Sequence, residues 1–409
     1  MTTIPDTDAA GVDDLPGART LPWWAFGLAN VAVVAVLSVA SWWLLVDPAW
    51  GFLHVYPQPY TAALFWTIIA VVWVAFNFEW LGPVRLRQPA RGLVAIVLTL
   101  ALGVAITVLL AKGWGAIDPS FAGSREGGAG YTTGNLMVLF AFFFYATVVV
   151  NWNHWPWAQV TPQPYTGLGE MGMLAVPTFA LYGLFVLPNL ATWAVPGTAV
   201  MSVPTLIGWF YCIIVSVVVT GVITDNWPWR LAGSPVRVVA FSLVGNLVLG
   251  TGVYFVLLNV AKLLMGPANA TALGAGVTVH AAELGVCWVF WMLTWANAFG
   301  NPPSERGQAT TFGIRIGATL ALGVLSYLLY YFFLARVVLH EPQVVGTMHG
   351  DALGFFDWAV LWLLWYLLFL ESYGLPRMRT GPGHTPPVDT TETPLTHGHG
   401  PPHEHVHYH

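Results

Sequence analysis

Ten apolar runs of membrane length succeed one another along the chain, separated by short polar connections. Their limits are 23–46, 61–80, 92–112, 132–152, 170–193, 203–224, 236–264, 277–298, 311–338 and 353–373. About 20 apolar residues cross roughly 30 Å of hydrocarbon as a helix, and only a helix or a closed barrel satisfies every backbone group there. The pattern therefore predicts an all-α, polytopic membrane helix bundle of about ten transmembrane helices. The fifth run is the weakest, because Pro177 and Pro188 interrupt it and each removes a backbone donor.

The polar breaks repeat. Each even run ends in an aromatic-polar cluster: Asn77-Phe78-Glu79-Trp80, Asn151-Trp152-Asn153-His154, Asp225-Asn226-Trp227, Asn297-Ala298-Phe299-Gly300-Asn301 and Glu371-Ser372-Tyr373. Consecutive clusters begin 72 to 74 residues apart, the length of one two-helix hairpin with its loops, which predicts five tandem same-direction hairpins. A second match supports the repeat: His280 to Gly285 and His349 to Gly354 share His, Leu and Gly at an offset of 69. Tryptophan at membrane interfaces and proline beyond a helix end read the clusters first as anchors and helix stops. The sequence Pro57-Gln58-Pro59-Tyr60-Thr61 recurs at 162–166, on the opposite side of the membrane in this topology, and does not fit the hairpin repeat.

Composition narrows the class. Hydrophobic residues make up 56% of the 409 and charged residues only 8%, about a third of what a soluble chain carries, so a soluble enzyme is excluded. The same apolar content excludes disorder over most of the length. Lys and Arg form no basic stripe, so a nucleic-acid partner is excluded. Cys212 and Cys287 lie inside apolar runs, too few for a disulfide framework or a thiolate metal site. Residues 1–20 are acidic and Pro/Gly-rich, without a basic region before the first run, and are expected to be a retained flexible tail. The domains expected are this tail, a transmembrane domain over 21–378 and a His-rich tail over 379–409. Alternate loops divide the cations unequally. Arg19, Arg85, Arg87, Arg91, Arg230, Arg237, Arg306, Arg315, Arg377 and Arg379 fall on one side, against Lys112, Arg125, Lys262 and Arg336 on the other. The positive-inside rule then puts both termini in the cytoplasm of a plasma-membrane protein.

Ionisable groups inside spans are functional candidates because they are costly there. His280 and Glu283 share a helix face that continues through Cys287, Trp291 and Thr294. His349 and Asp351 begin the tenth run, His54 precedes the second, and His340 with Glu341 follows the ninth. These donors converge on one side of the bundle, the expected place for copper, zinc or nickel; haem is an alternative. Asp357 and Glu371 on the last helix lie about 21 Å apart, too far for a carboxylate pair. Cys212, Ser216, Thr220 and Thr224 at steps of four on the sixth run, and Asn246 among Gly245, Gly250 and Gly252 on the seventh, read as close helix packing, or alternatively as a polar path. The last thirteen residues contain His397, His399, His403, His405, His407 and His409, an imidazole tract suited to capturing divalent metal or to solvating a tail.

The function expected is handling or transport of a small solute across the membrane, a transition-metal ion first, with lipid and metal as partners. No GxxxxGK[ST] loop occurs, so no ATP site drives it from within the chain. The alternatives are a membrane metalloenzyme or electron-transfer subunit with histidine-held copper or haem, and a lipid-embedded scaffold in a homo-oligomer or larger complex.

Overall fold

A computed structural model describes residues 20–79 and 86–378. The chain is a mostly helical, multi-pass membrane protein. Its principal helices are α1 (Trp23–Leu45), α2 (Tyr60–Asn77), α3 (Ala90–Ala116), α4 (Glu126–Val150), α5 (Tyr165–Leu190), α6 (Val203–Ile223), α7 (Pro235–Leu273), α8 (His280–Asn297), α9 (Gln308–Val337) and α10 (Ala352–Phe369). Every apolar run of the sequence falls in one of them. Among the described residues nine helical stretches are long and apolar enough to span a membrane, because α7 and α8 form one stretch, Pro235–Asn297. At 1.5 Å per residue those 63 residues would extend about 95 Å if straight. Instead Gly266 within α7 and Gly274 after it take positive φ of 80° and 55°, and Leu257 of α7 lies back against Gly285 of α8.

The helices form two concentric layers. In α2, α4, α6 and α10, 72–83% of the apolar stretch is buried, against 22–33% in α1, α3, α5 and α9. Every residue of α8 from His280 to Phe290 is buried, whereas α7 buries a single stripe. The buried five make a closed ring in the order α2, α4, α6, α8, α10 and back to α2. Each outer helix packs on the inner helix that precedes it in the chain: α3 on α2, α5 on α4, α7 on α6 and α9 on α8, with α1 on α10. The last pairing joins the two ends of the chain. It is reinforced by short parallel strands, β1 (Thr20–Leu21) and, after the hairpin strands β2 (Gln343–Val345) and β3 (Met348–His349), β4 (Arg377–Met378).

Outer helices bury small and polar residues and turn apolar ones outward. The buried stripe of α3 is Gly92, Ala95, Thr99, Gly103 and Thr107, and that of α9 includes Thr311, Arg315, Thr319, Gly323 and Tyr327. Steps of three and four keep such residues on one face, and in lipid small residues and hydroxyls hold helices together where apolar contact gives no net gain. Inner-helix tryptophans complete the contact: Trp288 Nε1 donates to Thr319 Oγ1 at 3.0 Å, Trp365 Nε1 to Thr99 Oγ1 at 3.2 Å and Trp152 Nε1 to Ser242 Oγ at 2.9 Å. At Gly323 the helices approach so closely that a Cβ would lie 2.9 Å from Trp288 Cα.

The recurring clusters are helix ends of one design. At each, an amide bonds the carbonyl five residues back: Phe78 to Trp73, Trp152 to Thr147, Thr224 to Val219, Phe299 to Thr294 and Leu370 to Trp365. Left-handed residues follow, namely Glu79, Asn153 with His154, Asp225 with Asn226, Gly300 with Asn301, and Glu371 with Ser372. Asn, Asp and Gly tolerate that conformation best, which accounts for much of the recurrence. The repeated Pro-Gln-Pro-Tyr-Thr is likewise local. It starts α2 from one face and α5 from the other, with Pro57 O and Pro162 O accepting the amides of Thr61 and Thr166.

Candidate functional site

The five inner helices enclose an axial cavity of about 580 Å³. Leu353, Asp357, Val360, Leu364 and Leu368 of α10 line it in steps of three and four, so it follows that helix for about 22 Å. Most of the wall is apolar, including Phe65, Ile68, Val72, Leu139, Phe142, Ile214 and Val289. Polar groups gather toward the end remote from β1 and β4, among them Gln58, Asn135, Tyr211, Glu283, Asp351 and Asp357, with Asn297 at the opposite end. Among the described residues lining the cavity there is no Lys, Arg or His. The chamber is therefore acidic and has no fixed counter-cation in its wall.

Each carboxylate is held differently. Asp351 caps α10, its Oδ1 accepting the amides of Leu353 at 3.0 Å and Gly354 at 3.4 Å. Burial and the neighbouring Glu283 push its carboxyl up to about 7, although the two amides and His280 oppose the shift. Asp357 Oδ1 accepts the Tyr211 hydroxyl at 3.1 Å, while its Oδ2 has no hydrogen-bond partner among the described residues. Glu283 Oε2 pairs with His280 Nδ1 at 3.0 Å, and the same imidazole nitrogen lies 3.0 Å from the Tyr327 hydroxyl.

The sequence-derived donors lie toward the same face, where Glu283 pairs with His280 and bears on Asp351, while His54, His340 and His349 have surroundings of their own. His340 Nδ1 bonds Asp47 Oδ2 at 2.7 Å and stacks near Trp50. Glu341 accepts the Tyr330 hydroxyl, and burial holds its carboxyl well above the ordinary range. His349 Nδ1 donates to Thr347 O at 3.2 Å, and His54 is exposed in a left-handed turn. Of the proposed ligands, Glu283 and Asp351 alone line the chamber. Among the described residues no three His, Cys, Asp or Glu side chains are grouped to hold a metal. His397, His399, His403, His405, His407 and His409 lie outside the described residues.

Three participants escape sequence reasoning. Tyr211 meets Asp357 from 146 positions away, Asn135 carries no local signal, and the repeat that contains Gln58 does not point to a cavity. Asp357 did carry one, an acid in mid-span. Its relation to Glu371 drew attention instead, and Glu371 pairs with Arg91 at the other end of the helix. The hydroxylated stripe of α6 is packing: Ser216 Oγ donates to Asn246 O at 2.9 Å, Thr220 Oγ1 to Asn246 Oδ1 at 3.1 Å, and Asn246 Nδ2 to Asn151 Oδ1 at 3.1 Å. A second buried cluster, His154 and Asn77 on Glu170 (2.8 Å each), lies at the termini face outside the chamber. There burial, the largest single effect, lowers the His154 imidazole, but Glu170 and Glu79 together outweigh it and hold the group above its usual value.

No family model matches the chain, and no curated protein or solved structure matches it either.

Proposed function

We propose that this membrane protein takes up a small solute into the axial chamber and passes it across the membrane. In this reading the chain crosses ten times as five tandem hairpins, in a plasma membrane, with both termini cytoplasmic. The observation that carries it is a cavity running along all five inner helices with buried carboxylate oxygens facing into it, an arrangement that packing alone does not call for.

A metalloenzyme or electron-transfer role would require several donors aimed at one point. His280, His340 and His349 are each engaged with a different partner, so the transport reading is preferred. A transition-metal ion remains the solute suggested by the histidine content, and the tail is the feature that favours it. Within the chamber it would meet carboxylate and amide oxygens, which suit hard cations better than soft ones.

Proteoliposomes test the proposal. Labelled methylammonium should exchange across vesicles bearing the protein faster than across protein-free ones. Ala146→Trp, which fills the chamber wall from α4, should remove the difference while the protein stays monodisperse. Exchange no faster than in protein-free vesicles contradicts the proposal.

A further inference from the structure

Three features of the chamber bear on the chemistry of its occupant. Glu283 and Asp357 both line it and are only 6% and 5% exposed; Asp357 Oδ2 has no hydrogen bond among the described residues, and Glu283 Oε2 meets only the His280 imidazole, at 3.0 Å. A buried acceptor left unmade is costly, and a carboxylate more so, unless a ligand supplies the missing donor or charge. No cationic side chain among the described lining residues can do so from within the wall. Beyond Asp357 the wall changes character: Val360, Leu364 and Leu368 of α10 face Phe142 and Val149 of α4 and Val218 and Val222 of α6 across the same cavity.

A bare or hydrated inorganic cation finds acceptors at the acidic end and almost none along the rest of the path. An anion meets the carboxylates. A neutral apolar molecule fills the walls but leaves Asp357 Oδ2 without a hydrogen bond. We propose that the chamber takes an amphipathic organic ammonium ion, its N–H groups donated to Glu283 and Asp357 and its hydrocarbon body laid along the Val, Leu and Phe wall. A volume of about 580 Å³ falls within the range of small-molecule pockets, about 300–1,000 Å³. Several carboxylates matter here because one alone would fix the ammonium without orienting it. This inference rests on the reading of the cavity as a solute chamber.

Protection of a thiol placed in the wall tests both and separates them. The probe is Ala146→Cys on α4, with Cys212→Ala and Cys287→Ala, in nanodiscs treated with a small uncharged thiol reagent. n-Hexylammonium should slow the modification about tenfold, while hexan-1-ol, hexanoate and potassium at the same concentration should not. Glu283→Gln and Asp357→Asn, singly and together, should leave the cysteine reactive but abolish protection by the ammonium. Equal protection by hexan-1-ol, hexanoate or potassium, or protection that survives both substitutions, overturns the ammonium assignment and leaves the chamber intact. A cysteine at 146 that never reacts overturns the chamber itself.

Discussion

At the scale of single residues, the account turns on how buried carboxylates are satisfied. Among the described residues Tyr211 supplies the one side-chain hydrogen bond that the Asp357 carboxylate receives, so Tyr211→Phe should lower the stability of the purified protein by about 1–3 kcal/mol. Tyr211→Phe with Asp357→Leu should cost less than Tyr211→Phe alone, because both partners of a buried pair are then removed. A thermal-unfolding series in detergent measures this, and equal losses in the two proteins would show that the hydroxyl does not serve the carboxylate. Asp351 gives a pH test. Its folded-state value is raised from 3.8 to about 7, so the folded protein binds more protons than the unfolded chain between those limits. Stability should therefore fall as pH rises from about 4 to about 7, and Asp351→Asn should flatten that part of the profile. An unchanged slope in the variant contradicts the assignment. Legibility at this scale was partial. Glu283 and Asp351 are visible in sequence because acids near apolar runs are rare, whereas Tyr211 is an ordinary residue that matters through Asp357, far away in the chain, and Gln58 and Asn135 matter only by their place in the cavity wall.

At the scale of elements, the sequence read well for a physical reason: hydrocarbon imposes one length and one backbone solution. Each of the ten apolar runs finds a helix, although α4 begins at Glu126 where its run begins at 132, and α7 extends to Leu273 where its run ends at 264. What the runs alone do not reveal is which helices lie inside. α3 has the highest mean hydropathy of the membrane-length stretches, 2.9, yet belongs to the outer layer, since lipid accepts apolar surface as readily as a core does. A stripe of small and hydroxylated residues at steps of three and four marks the contact face of a helix, on outer α3 and α9 and on inner α6 alike. Gly323→Val tests it. A side chain there must displace the Trp288 backbone, with an expected loss of about 1–3 kcal/mol, while Gly317→Val on the same helix, where a Cβ meets nothing within 4 Å, should change stability little. Equal effects at the two positions would mean that close approach does not organise the α8–α9 contact.

At the scale of the whole molecule, the ring is closed by its ends: α1 packs on α10, and β1 pairs with β4. Tandem hairpins were read from spacing with each odd run joined to the next even one. The tightest packing instead joins each inner helix to the outer helix that follows it, and no spacing rule distinguishes the two pairings. Orientation is a separate expectation, resting on the arginines and lysines. A cysteine introduced at Thr396 should escape a membrane-impermeant reagent in intact cells and react after permeabilisation, whereas labelling of intact cells would invert the topology.

The most direct test of the central claim, an axial chamber bounded by the inner ring, is a thiol-reactivity scan along α10 with Cys212 and Cys287 replaced by Ala. The account requires a reactive face at Leu353, Asp357, Val360, Leu364 and Leu368, which line the cavity. It also requires silence at the fully buried Leu361 and at Trp365, which is turned toward Thr99 of α3. A reactive face centred on Leu361 and Trp365, or no reactive face at all, would contradict it.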